Sequence, residues 1–272
     1  MKSRQYVILL TACVNPSGMA FTALTDSDER LRQYRDALDF YLQQSTLPVV
    51  FCENTGYDFS VHYRPYVEQG RLECLTFDGN RFDKTKGKGY GEALNMEYAL
   101  SHSRFLAEAT MLVKVTGRLK VLNIEELVEG NRRVKGAIQA LYPHHGMMDS
   151  RVVIAPIRFF RQEFLPKKNE INDSQGFYFE HLLLQTVTDS MHCLYLPFLY
   201  VPQIVGVSGT SGQTYAPAPS QRMPAAFMND MLGNALRFDA LRPCHHLTLL
   251  QRMRIFLQRI ICKLRVSRYI SR

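Results

Sequence analysis

Apolar runs of strand length alternate with polar turns through the first half of the chain. Residues 6–14 are almost continuously apolar and end in Asn15-Pro16-Ser17-Gly18, which predicts a strand buried on both faces and then a loop. Thr25-Asp26-Ser27-Asp28-Glu29 opens a helix with an Asp-x-x-Glu capping arrangement, and Leu31, Tyr34, Leu38, Tyr41 and Leu42 give it an apolar stripe. Residues 48–52 repeat the buried-strand pattern and stop at Glu53-Asn54-Thr55-Gly56-Tyr57-Asp58, and residues 72–77 form a third strand ending in Asp78-Gly79-Asn80. A helix over 91–109 and a strand over 110–115 follow, the strand ending at Thr116-Gly117-Arg118. This order predicts one α/β domain with a mostly parallel, Rossmann-like sheet flanked by helices. Ligands of such sheets bind beyond the carboxyl ends of the strands, where all these polar turns fall.

The second half is less regular. Strands are expected over 137–142 and 152–160, flanking Pro143-His144-His145-Gly146-Met147-Met148-Asp149-Ser150-Arg151. A helix over 176–189 carries Glu180-His181 near its start, a strand follows over 193–200, and residues 206–215 form a loop of small residues. Residues 216–224, rich in Pro, Ala and Ser, suggest a linker out of the core.

Composition refines this picture in three ways. With 272 residues, 46% of them hydrophobic and 21% charged, the chain can bury a full core. The net charge of +8 comes from Arg242, Arg252, Arg254, Arg259, Lys263, Arg265, Arg268 and Arg272, with no Asp or Glu after Asp239. A near-neutral body without a nucleic-acid-binding motif argues against a nucleic acid partner. The cysteines (Cys13, Cys52, Cys74, Cys193, Cys244, Cys262) show no metal-ligand spacing and suit reduced, buried thiols in the cytoplasm. Lys2, Arg4 and Leu10-Thr11-Ala12-Cys13 imitate a short lipoprotein signal, but the same residues make a good buried strand. No run approaches the length of a membrane-spanning helix. The expected division is a globular domain over 1–240 and a basic amphipathic tail over 241–272.

Candidate chemistry centres on Asp83-Lys84-Thr85-Lys86-Gly87-Lys88-Gly89-Tyr90-Gly91-Glu92, where lysines and glycines precede a helix. Glycines let backbone N–H groups approach a ligand, a helix start favours anions and lysines add full charge, so the stretch reads as a phosphate cradle. A solvated basic turn is the alternative.

The order of elements resembles the GT-A architecture of nucleotide-sugar glycosyltransferases, particularly bacterial enzymes that build capsule and lipopolysaccharide. Residues 11–15, Glu53-Asn54-Thr55-Gly56 and Lys88-Gly89-Tyr90-Gly91-Glu92-Ala93-Leu94-Asn95 carry the likeness, which spans roughly the first two hundred residues. It implies a nucleotide-sugar donor held by Thr11, Asn15, Glu53, Asp78, Lys88, Gly89, Gly91, Asn95, Lys114 and Arg118. It also implies a glycan or lipid-linked acceptor. The family commonly carries Asp-x-Asp at the end of the next strand, to hold a divalent cation; this chain has Lys114-Val115-Thr116-Gly117-Arg118 there. Cations in that place point to direct neutralisation of the diphosphate without a metal cofactor. The rival is Mg or Mn held by Asp149, and an edge-strand surface position for Lys114 is a further alternative. His144 and His145 beside Asp149 are read as loop contacts.

Sugar transfer with inversion needs a carboxylate base, for which Glu180 is the candidate, with His181 orienting it, binding acceptor or packing. An acid stabilising a helix start is the plainer reading of Glu180. Residues 206–215 could cover the site. In the tail, Leu250, Met253, Leu257, Ile260, Ile261 and Leu264 share one helical face between basic flanks. That pattern suits an anionic membrane surface reached through residues 245–272, and a peripheral location on the inner face of the cell membrane. A sugar-phosphate nucleotidyltransferase and a non-catalytic glycan-assembly adaptor are the alternative functions.

Overall fold

Val7, Ile8, Leu9 and Leu10 are fully buried, and every residue of β1 (Tyr6–Ala12) is buried. A strand of this kind has its place at the centre of a sheet covered on both sides. The computed structural model describes residues 5–16, 18–19, 22–134, 136–141, 146–190, 192–217, 219 and 221–231, and in the tail Met253, Leu257, Ile260, Ile261 and Leu264. After β1 come α1 (Ser27–Gln44), β2 (Val49–Glu53), α2 (Arg64–Glu68), β3 (Leu72–Thr76), α3 (Gly87–His102), α4 (Arg104–Glu108) and β4 (Met111–Thr116). Then follow β5 (Lys120–Val121), α5 (Ile124–Arg133), β6 (Val152–Pro156), α6 (Ile157–Phe159), α7 (Phe179–Asp189), β7 (Ile204–Val207) and β8 (Thr214–Tyr215).

The main sheet has the order β3-β2-β1-β4-β6, parallel except for β6. It is the mostly parallel α/β sheet the apolar runs predict. Register places Thr11 opposite Cys52 and Thr116, and Ala12 opposite Glu53, so three strands end on one edge. Because β6 runs the other way and pairs Val152 with Val115, its start brings residues 149–151 to that same edge. Gly117 makes the close join possible: a Cβ there would lie 2.3 Å from the Thr11 carbonyl oxygen, which accepts the Gly117 N–H at 3.1 Å. Only a bare α-carbon lets the chain turn there and deliver Arg118 to the sheet edge.

Local capping agrees with the sequence at α1, where Asp26 accepts the Glu29 N–H at 2.8 Å. Elsewhere the boundaries differ. The helix expected over 91–109 begins earlier, at Gly87, and breaks at Ser103, whose hydroxyl accepts the Leu106 N–H at 3.0 Å and restarts the chain as α4. Among the described residues, 137–141 and 193–200 are not strands; they form isolated pairs, Ile138 with Tyr195 and Gln139 with Ile154, because neither meets a continuous ladder, and residue 142 of the expected strand lies outside the described residues. The strand expected over 152–160 ends at Pro156, and the chain then winds through helical, π and 3-10 turns to Gln175. Residues 206–215 form part of a hairpin, β7 with β8, and β7 also pairs with β5. The expected linker is tied back to the body, with Val201 N–H bonded to Gln221 O and Met223 N–H to Leu199 O. His144, His145, the 240/241 boundary and most of the tail lie outside the described residues.

Candidate active site

A cavity of about 230 Å³ opens at the strand ends. Helix α3 builds one wall. Lys88, Glu92 and Asn95 follow one another at four- and three-residue spacing, which places them on one helical face, and that face meets β1. Asn95 Nδ2 donates to Ala12 O at 2.8 Å, and Thr11 Oγ1 donates to Glu92 Oε1 at 3.0 Å.

Behind Glu92 lies Lys114, which is fully buried. Its Nζ meets Glu92 Oε1 at 2.6 Å, Ser150 O at 2.6 Å and Thr116 Oγ1 at 3.4 Å, with the Phe179 ring centroid 5.2 Å away. The three ammonium protons are thus spent within the protein. Lys114 is neither a surface residue of an edge strand nor part of the cavity lining; its role here is to hold Glu92 and Ser150.

Ser150 passes that order on. Its hydroxyl donates to Glu180 Oε1 at 2.6 Å, at the start of α7. Burial pushes the Glu180 carboxyl above the usual carboxylate range and the Glu92 charge adds to this, while the Ser150 bond and Lys114 oppose it. A partly buried carboxylate on the cavity wall with a raised pKa is suited to taking a proton near neutrality.

The start of α3 holds the largest departure from the sequence reading. The anion at this helix start is Asp173, which comes from the irregular stretch before α7. Its Oδ2 accepts the Gly89 N–H at 3.4 Å, and a Cβ on Gly87, where φ is +80°, would lie 2.2 Å from its carboxyl carbon. The glycines therefore make room for the protein's own carboxylate, which occupies the phosphate cradle. Of the lysines there, Lys84 bonds Asn80 and Lys86 donates to Asn169 O at 2.8 Å, outside the cavity lining. Lys88 alone of the three lines the cavity, bonded to Thr210 Oγ1. Burial lowers its pKa, and Glu180, Asp173 and Glu92 act the other way.

Arg118 faces the cavity from the end of β4, with Nη1 donating to Gln33 Oε1 at 3.0 Å and to Val207 O at 3.4 Å. Arg151 grips Asp149 through Nε at 3.0 and 2.9 Å and Nη2 at 2.5 Å, and its guanidinium lies 4.7 Å from the Tyr215 ring centroid. The hairpin contributes Val207, Ser208, Gly209, Thr210 and Tyr215 to the lining. On the far side Arg30 donates to Cys13 O at 2.8 Å and to Tyr34 Oη at 3.1 Å, fixing the loop after β1. Burial pushes the Cys13 thiol up to about 11, which favours the thiol over the thiolate.

Of the residues singled out from sequence, Thr11, Lys88, Gly89, Gly91, Asn95, Arg118 and Glu180 line this one cavity. Asn15, Glu53, Asp78, Lys114, Asp149 and His181 do not. Glu53 is fully buried and accepts the N–H groups of Val14, Thr55 and Tyr57, each at 2.9 Å, so it shapes the loop. Asp78 pairs with Arg81 at 2.6 Å, and Asn15 O accepts from Asn80 Nδ2 at 2.9 Å. His181 Nδ1 accepts the Tyr178 N–H at 3.0 Å, closing the helix start, and burial lowers its pKa. The reading missed Asn54, Glu92, Ser150, Arg151 and Asp173, all on the cavity wall. Glu92 was within reach of sequence reasoning, since it shares the helical face of Lys88 and Asn95.

Asp149, the one residue the sequence offers as a metal ligand, is already engaged within the protein. Among the described residues no three His, Cys, Asp or Glu side chains gather as metal ligands. Asp149, the candidate ligand, is gripped by Arg151 through both carboxylate oxygens, and Glu92 is paired with Lys114.

No model of a protein family matches the sequence, and no curated protein is similar to it. Solved structures are similar to it at low identity. Residues 1–349 of TarS from S. aureus align over 94% of this chain and 70% of that one, with 8% identity and a TM-score of 0.43. Core-mannan synthase A from Aspergillus fumigatus, in its Mn/GDP form, aligns over 78% and 81%, with 11% identity and a TM-score of 0.41. The mannosyltransferase Ktr4p from S. cerevisiae aligns over 66% and 62%, with 11% identity and a TM-score of 0.36.

Proposed function

We propose that the chain is a glycosyltransferase that moves a sugar from a nucleotide donor to a glycan or lipid-linked acceptor, with inversion, in the synthesis of a bacterial surface polysaccharide. The observation that carries this reading is the convergence of Arg118, Lys88 and Glu180 on one cavity at the carboxyl edge of the sheet. Glu180 takes the proton of the acceptor hydroxyl, and the freed oxygen attacks the anomeric carbon. The bond from that carbon to the diphosphate breaks, and its electron pair goes to the departing phosphate oxygen. Arg118 and Lys88 stabilise the leaving charge, Arg118 with a fork that matches phosphate oxygens. Glu180 departs from a simple helix-start acid in having a hydroxyl partner, a raised pKa and a place on the cavity wall.

A thermal-shift screen of UDP-, GDP-, CMP- and TDP-sugars, with and without EDTA, tests this. One nucleotide class should raise Tm by roughly 5 °C at a hundredfold excess over Kd. The shift should survive chelation and vanish in Lys88→Ala or Arg118→Ala. A chain that none of the four stabilises is not such an enzyme, and one that binds a donor but never turns it over is an adaptor.

The tail supports an acceptor at a membrane. Met253, Leu257, Ile260, Ile261 and Leu264 are helical, follow the spacing of one face, and are between 41% and 59% exposed. None of the described helices is long and apolar enough to cross a bilayer; in this reading the tail attaches to the inner face of the cell membrane. Vesicles containing phosphatidylserine should sediment the full chain, and Leu257→Glu with Ile261→Glu should lower that binding about tenfold. Equal, salt-insensitive binding to neutral vesicles would end the membrane part of the proposal.

A further inference from the structure

Asn54 Oδ1, Asn95 Oδ1 and Asp173 Oδ1 are buried acceptors without a hydrogen-bond partner, and all three residues line the cavity. Leaving a buried acceptor unpaired is costly, so such atoms on a cavity wall mark where a guest completes the bonding. Two of them belong together: Asn95 Nδ2 and the Asn54 N–H both donate to Ala12 O, at 2.8 and 3.2 Å. Asp173 stands apart. It binds the α3 start at Gly89, six residues before Asn95, or roughly 9 Å along the helix axis.

Asp173 is 4% exposed, one carboxylate oxygen accepts the Gly89 N–H, and the other is buried without a hydrogen-bond partner. An ionised carboxylate is an acceptor only, so its partner must be a donor. Phosphate oxygens offer none near neutrality, whereas sugar hydroxyls do. Glu92 and Glu180 share this wall with Asp173, against the cations Arg30, Lys88, Arg118 and Arg151, so the repulsion that matters is the local one from the Asp173 carboxylate itself. A sugar bearing its own carboxylate would meet repulsion there, while a neutral one would not.

We infer that Asp173 is a specificity-determining residue that accepts hydrogen bonds from hydroxyls of the transferred sugar, and that this sugar is neutral and hydroxyl-rich, not a uronate. The inference rests on the glycosyltransferase reading. Burial raises the Asp173 pKa, and the Gly89 N–H and the Lys88 charge oppose that rise.

Calorimetric titration of the full chain with UDP, GDP and TDP separates the possibilities. Each is compared with its neutral sugar (UDP-glucose, GDP-mannose, TDP-glucose), and UDP-glucuronate and GDP-mannuronate complete the set. In the class that binds, the neutral sugar nucleotide should bind about tenfold or more tighter than the bare diphosphate. Asp173→Asn keeps an oxygen for Gly89 but presents an amide N–H to the guest. It should remove that advantage, shift the bare diphosphate less than about threefold, and strengthen uronate binding. Asp173→Ala should remove the advantage too. A loss shared equally by all ligands would assign Asp173 to the fold alone and overturn the inference, as would no loss at all; both would leave the nucleotide-sugar reading standing. Binding by none of these nucleotides, together with no thermal shift from CMP-sugars, would overturn the two together.

Discussion

Glu180→Gln should abolish sugar transfer, lowering kcat by about 10²–10⁴-fold, and should raise Tm at neutral pH. The amide can still accept from Ser150 Oγ, so the wall keeps its shape, but it cannot take a proton. The stability gain follows from linkage. Burial raises the Glu180 pKa in the folded state, so the folded chain binds this proton more tightly than the unfolded one. Above both pKa values the ionised group therefore costs stability, and the cost disappears as pH falls through the raised folded value. Glutamine removes that cost at neutral pH. The same shift moves the acid limb of the rate profile: activity, which needs the ionised base, should fall away at a higher pH than an ordinary carboxylate would give. Retained transfer in Glu180→Gln would move the base elsewhere. A lowered Tm, or an acid limb in the usual carboxylate range, would contradict the burial argument.

Breaking the Lys114–Glu92 pair should be the most damaging single change to stability, and its two halves should differ. Lys114 is fully buried, whereas the Glu92 side chain is 21% exposed on the cavity wall. Glu92→Gln strands a buried ammonium and should cost about 3–5 kcal/mol in denaturant unfolding. Lys114→Met leaves a carboxylate that cavity water can still reach, and should cost less, about 1–3 kcal/mol. Combining the two should recover part of the Glu92→Gln loss, because neither charge is then left alone. Additive losses in the double variant would mean that the pair does not act as a unit. Lys114→Met should also reduce kcat more than donor affinity, since Ser150, and through it Glu180, loses its anchor.

The central sheet could be read from the chain because β1, β2 and β4 are apolar on both faces, a signal that needs no partner to interpret. That same double burial hid the environment of Lys114. In a strand covered on both sides, alternation does not tell which way a side chain faces, and the solvent-facing alternative arose from applying a half-buried pattern to a central strand. Of the glycine–lysine stretch, Lys88, Gly89 and Gly91 line the cavity. The occupant of that stretch was not visible, because Asp173 lies more than eighty residues away in a segment without a regular period. Ser150 and Arg151 reach the site only because β6 runs antiparallel, which composition does not encode. At Ile138 and Tyr195 the apolar runs satisfy the core without a ladder, so a strand-like pattern there yields only an isolated pair.

A structure of the full chain with the nucleoside diphosphate selected by the thermal-shift screen tests the central claim most directly. The account predicts the two phosphates between Arg118 and Lys88, within hydrogen-bond distance of both, with Glu180 on the wall beyond them. A nucleotide bound away from this cavity, or lying in it with its phosphates turned from both cations, would contradict the account.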